Sequence, residues 1–63
     1  MTAAHASALA RTADRLAAAY AAHVGFLRTS RTPNPSLTEW VEGERAARIE
    51  LRDAFTEYEQ VRA

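Results

Sequence analysis

The sequence predicts an all-α fold: a two-helix antiparallel hairpin, with two copies dimerising into a four-helix bundle. Three observations predict it. Two stretches of nearly equal length carry apolar residues at alternating spacings of three and four, which is the helical period. A breaker containing Pro33 and Pro35 separates them. The apolar arc of each stretch is wider than one neighbouring helix can cover, so a hairpin alone leaves part of it in water.

The first helix is expected over about residues 3–28. With Ala6, Ala13, Tyr20 and Leu27 at heptad position a, Leu9, Leu16 and His23 fall at d, and Ala10, Ala17 and Val24 at e. Alanine at positions that face a neighbour lets helices approach closely and loses little side-chain entropy. Close packing is assigned to Ala13 and Ala17, and helix propensity alone to Ala18 and Ala22.

The turn is expected over 29–36. Pro33 and Pro35 push Thr32 and Asn34 out of helical geometry. Ser36-Leu37-Thr38-Glu39 then reads as a capping box that starts the second helix, over about 37–62. In that helix Leu37, Glu44, Leu51 and Tyr58 take position a, Trp40, Ala47, Ala54 and Val61 take d, and Val41, Arg48 and Phe55 take e. Each helix would be about 39 Å long at 1.5 Å per residue. Equal lengths and a short link make a single hairpin domain, residues 1–63, the natural arrangement.

Dimerisation follows from size as well as pattern. A chain of 63 residues buries little surface and usually needs disulfides, a metal or oligomerisation. It has no cysteine. Neither His5 nor His23 has a second ligand at i+3 or i+4, so neither a metal nor a cofactor is expected. Association with a second copy remains. The expected interface comprises Leu9, Leu16, Tyr20 and Leu27 from the first helix. From the second it takes Leu37, Trp40, Leu51, Phe55 and Tyr58, with Ile49 as a large apolar residue off the main stripe.

Glu44 interrupts that stripe, and burying a carboxylate without a partner is costly. In a hairpin turning near residues 32 and 33, facing positions sum to about 65. That sets Glu44 near Tyr20 or Ala21, and His23 near Val41 or Glu42. Arg48 follows Glu44 at i+4, in the favourable order. Tyr20, His23, Glu44 and Arg48 are therefore expected as a polar cluster within an apolar seam. The favoured role is fixing register and oligomeric state. An exposed Glu44–Arg48 pair is the plainer alternative, and a small-ligand or catalytic site the sharper one.

The charges suggest a second alternative. Arg45, Arg48 and Arg52 lie on one flank of the second helix, with Arg28 and Arg31 near the turn. Such a row could contact an anion or a nucleic-acid backbone. Glu39, Glu50 and Glu57 lie on the other flank and would repel phosphates, so nucleic acid is disfavoured. Eight basic residues balance eight acidic ones, and net charge calls for neither nucleic acid nor a membrane. The use of arginine without lysine, beside abundant alanine, suggests a GC-rich bacterial or phage genome. The apolar run from Leu16 to Ala22 is too short to cross a bilayer, and the start lacks a basic leader, so a cytoplasmic location is expected. No phosphate-binding glycine loop, nucleophile elbow or paired-cysteine motif occurs. The expected function is a small self-associating interaction or adaptor protein without catalytic residues.

Overall fold

The computed structural model describes residues 2–29 and 37–63. They form two helices, α1 over Ala3–Thr29 and α2 over Leu37–Arg62. The Pro-containing connection, Arg31 and the Ser36 end of the capping box lie outside the described residues.

Local chemistry accounts for the helix ends that are described. Thr2 is the N-cap of α1: its hydroxyl oxygen accepts from the His5 backbone N–H at 3.0 Å, and its carbonyl accepts from Ala6 N–H at 2.9 Å. Arg28 and Arg62 sit in the last turns of α1 and α2, where a cation suits the negative end of the helix dipole. Glu39 occupies the first turn of α2, at the positive end.

The helices run antiparallel. Arg15 meets Glu50, His23 meets Glu44 and Phe26 meets Trp40, so numbers rise along α1 as they fall along α2. The resulting rod is 49 Å long and 14 by 12 Å across.

In α2 the seam follows the heptad positions that the sequence suggested, through Trp40, Glu44, Ala47, Leu51, Ala54 and Tyr58. In α1 it is rotated. Leu9, Leu16 and His23 face α2 as expected, but their companions are Thr12, Ala19 and Phe26, one position before Ala13, Tyr20 and Leu27. The physical reason is closeness of approach. Ala19 and Ala54 are the two buried apolar residues among those described, and both are small. Small residues along the line of contact bring the backbones together, which the bulk of Tyr20 and Leu27 would prevent. Close packing within the hairpin thus belongs to Ala19 and Ala54, not to Ala13 and Ala17, which are exposed. Thr12 is buried too, and its hydroxyl donates to the Leu9 carbonyl at 3.0 Å, so no hydroxyl is left unpaired there.

Near the turn, Phe26 and Trp40 hold the helices together. The Trp40 indole N–H donates to the Phe26 carbonyl at 3.1 Å. That carbonyl lies in the last turn of α1, where intrahelical donors run out. Phe26 itself packs onto Gly43, where a Cβ would stand 2.5 Å from its Cε1 and 2.7 Å from its Cζ. A Cβ at Gly25 would meet no atom within 4 Å. The two glycines should therefore respond oppositely to alanine. Gly25→Ala is expected to stabilise the protein by about 1 kcal/mol, the helix-propensity difference. Gly43→Ala gains the same propensity but overpacks against Phe26 at a cost of about 1–3 kcal/mol, for a net loss. Urea denaturation of both variants checks the signs; stabilisation by Gly43→Ala would show that the Phe26 ring moves aside freely.

Candidate functional site

Two features of the hairpin are candidates for function: a polar pair inside the seam, and an apolar groove beside it. Their positions follow from one rotation of each helix. The seam takes one edge of each apolar arc, and the remainder of both arcs lies on the same face of the rod.

The polar pair is His23 and Glu44. His23 Nε2 lies 2.7 Å from Glu44 Oε2, and the two side chains are only 18% and 17% exposed. A carboxylate can only accept, so His23 donates from Nε2. The pairing differs from the expected Tyr20 or Ala21. His23 and Glu44 sum to 67, beside 65 for Arg15 with Glu50 and 66 for Phe26 with Trp40; the long Arg15 side chain also reaches one heptad further, to Glu57. Arg48 stands at a longer distance, its Nε 3.8 Å from the same Glu44 oxygen, and is largely in solvent. Tyr20 is 62% exposed on the groove face and contributes nothing to the pair. Of the four residues expected as a cluster, the structure brings two into direct contact, sets one at its margin and leaves one outside.

The groove is lined from α1 by Ala13, Leu16, Ala17 and Tyr20. From α2 come Leu51, Phe55 and Tyr58, with Arg48 and Arg52 along the rim. Phe55 is 52% exposed. Helical phase continues the same face toward the turn through Leu27, Leu37 and Val41, all exposed. Leu9 lies on the same side of α1, partly covered by the seam. Of the expected interface residues, Trp40 is taken up by α1. Ile49 is off this face altogether: it sits behind, in a shallow trough with Arg45, Arg48 and Arg52. His23 and Glu44 are not among the residues lining the groove.

The opposite face is polar. Arg15 crosses the seam there, its Nε and Nη2 donating to the two Glu50 carboxylate oxygens at 2.9 and 2.8 Å, and its Nη1 donating to Glu57 at 2.9 Å. Arg15 is not among the residues singled out from the sequence, though a facing sum of 65 pairs it with Glu50, and Glu57 lies one heptad further on. These hydrogen bonds, helped by the guanidinium charge and opposed by partial burial, hold the Glu50 carboxyl below its ordinary range; the same bonds raise the Arg15 pKa. A lowered folded-state pKa means a contribution to stability that is complete above the ordinary carboxyl value of 4.5 and lost as pH falls through the folded value. Glu50→Gln is thus expected to lower the thermal midpoint at pH 7, and its midpoint should converge on that of the unmodified chain as pH drops below 4.5. A gap that persists in acid would show that the charge on Glu50 is not its source.

The arginines expected to contact an anion are dispersed. Arg45, Arg48 and Arg52 share the trough around Ile49, Arg28 is exposed at the end of α1, and Arg31 lies outside the described residues. Among the described residues no group of three His, Cys, Asp or Glu side chains is placed to hold a metal, and no helix is long and apolar enough to cross a membrane. Compared with protein families, with curated proteins and with solved structures, the chain matches none.

Proposed function

We propose that this chain is a small self-associating interaction protein, and that its working unit is a pair of hairpins joined through the apolar groove into a four-helix bundle. The observation that carries this reading is the one-sided distribution of side chains. The large apolar residues stand half in water along one face, while an arginine–glutamate network occupies the other. Among the described residues no large side chain is fully buried, so the hairpin alone has almost no core.

Size supports the reading. A face of 49 by 14 Å is on the order of 700 Å², close to the ~800 Å² that each partner gives to a stable interface. Large apolar side chains left exposed together along one such face are characteristic of an interaction site. Covering it with an identical face supplies Leu16, Leu51, Phe55 and Tyr58 with the second layer that a bundle core requires. The seam pair His23–Glu44 acts as a positioning device in this arrangement and not as reactive chemistry, since it faces α1 and α2 and not the groove.

The experiment is helicity followed by circular dichroism across a dilution series. Folding coupled to association predicts that helicity falls as the chain is diluted, with a midpoint that moves with concentration. Full helicity independent of concentration, in a chain of single-copy mass, would overturn it.

A further inference from the structure

The geometry points to one particular pairing of the two hairpins: α1 of each copy lies along α2 of the other, about a two-fold axis parallel to the helices. This inference rests on the self-association proposed above and goes further, since it states which surfaces meet.

Two symmetric ways exist of closing one apolar face on its own copy. With the axis perpendicular to the helices, like packs on like, α1 on α1 and α2 on α2. With the axis parallel to the helices, α1 packs on the partner copy's α2. The two rims of the groove distinguish them. The α2 rim carries Arg48 and Arg52. The α1 rim carries Ala13 and Ala17.

In the like-on-like arrangement, two fully overlapped α2 helices cross at their midpoint near Glu50, which sets Arg48 against Arg52 of the other copy, twice. Four guanidinium groups would meet at the edge of an apolar interface, where low dielectric strengthens their repulsion. Sliding the copies apart relieves this only by uncovering apolar surface.

The parallel axis avoids the conflict and fixes the register. Rotation about it leaves height along the rod unchanged, so the register between copies equals that within the hairpin. Facing positions again sum to between 65 and 67. Phe55 then comes within one residue of level with Ala13 of the other copy, a large residue against a small one. The stem of Arg48 lies along Ala17, with its head toward Tyr20. Arg52 comes level with Asp14, an exposed carboxylate on the outer side of α1. Bulk meets space, and the arginine row meets alanine and a carboxylate instead of a second arginine row.

Cysteine cross-linking tests this directly, because the chain has no cysteine of its own. Ala17→Cys and Arg48→Cys both fall at exposed positions, so the hairpin tolerates either. The two variants are oxidised separately and as an equimolar mixture, beside a measurement of solution mass. The parallel-axis bundle predicts a disulfide-linked dimer in the mixture only, joining one chain of each kind. Ready cross-linking of Ala17→Cys with itself would identify the like-on-like arrangement and overturn the inference. A dimeric mass with no cross-link in any sample would also overturn it, leaving self-association intact through another face. A single-chain mass throughout would instead remove the self-association on which it rests.

Discussion

Phe55→Ala is expected to raise the dissociation constant of the paired hairpins by about thirtyfold. Phe55 is 52% exposed in the hairpin, so its loss costs the single chain less than loss of a fully buried ring. In the bundle the remaining half of the ring is covered, at about 1 kcal/mol, half the value for burying a whole phenylalanine side chain. Two-fold symmetry removes it twice per pair, about 2 kcal/mol in all, or roughly thirtyfold in affinity. Ile49→Ala is the control. It removes an apolar residue of comparable size from the back of α2, outside the groove. Sedimentation equilibrium on both variants gives the comparison. Equal weakening by the two would mean that the groove face is not what associates.

His23→Leu is expected to produce the largest loss of folding stability from a single seam residue. It leaves the Glu44 carboxylate 17% exposed with only the 3.8 Å approach of Arg48 to compensate it. An unsatisfied buried polar group costs about 1–3 kcal/mol, and a charged one more. Replacing both partners behaves differently, since two leucines restore an apolar seam and leave no orphan. The double variant His23→Leu with Glu44→Leu should be as stable as the unmodified chain or more so. Glu44→Leu alone is expected to be the milder single change, because an ordinary imidazole is mostly neutral at pH 7 and an ordinary carboxyl ionised, and a stranded charge costs more than a stranded polar group. If the pair specifies the assembly, the double variant should populate more than one oligomeric state. Denaturation gives the coupling between the two residues, and light scattering the distribution of masses. A double variant that keeps a single mass and an unchanged dissociation constant would leave the pair a purely structural contact.

The two helices were legible in the sequence because several signals agreed on them. Apolar spacing, the Pro33–Pro35 breaker and the capping-box pattern that begins at Ser36 all suggest the same boundaries in the sequence. The phase of α2 was legible too, because Arg45, Arg48, Arg52 and the acidic flank leave only one face on which Glu44 is the lone charge. The phase of α1 was not. Alanines surround that helix on nearly every side, so hydrophobic contrast is weak, and the eye follows Tyr20 and Leu27. Closeness of approach decided instead, through Thr12 and Ala19, which no count of hydrophobicity favours. The rotation also governs the candidate site. It turns Tyr20 outward to the groove and leaves His23, one of the four residues expected in the cluster, as the direct partner of Glu44, two or three residues beyond the Tyr20 or Ala21 that the facing sum suggested. Arg15 was readable from the facing sum, yet surface arginines attract little notice in a chain with eight of them.

Small-angle scattering extrapolated to zero concentration, at several loading concentrations, tests the pairing of hairpins most directly. Face-to-face pairing doubles the 6.9 kDa mass while the longest dimension stays near 49 Å. A folded particle of 6.9 kDa at every concentration would contradict it, and so would a doubled mass in a rod of doubled length.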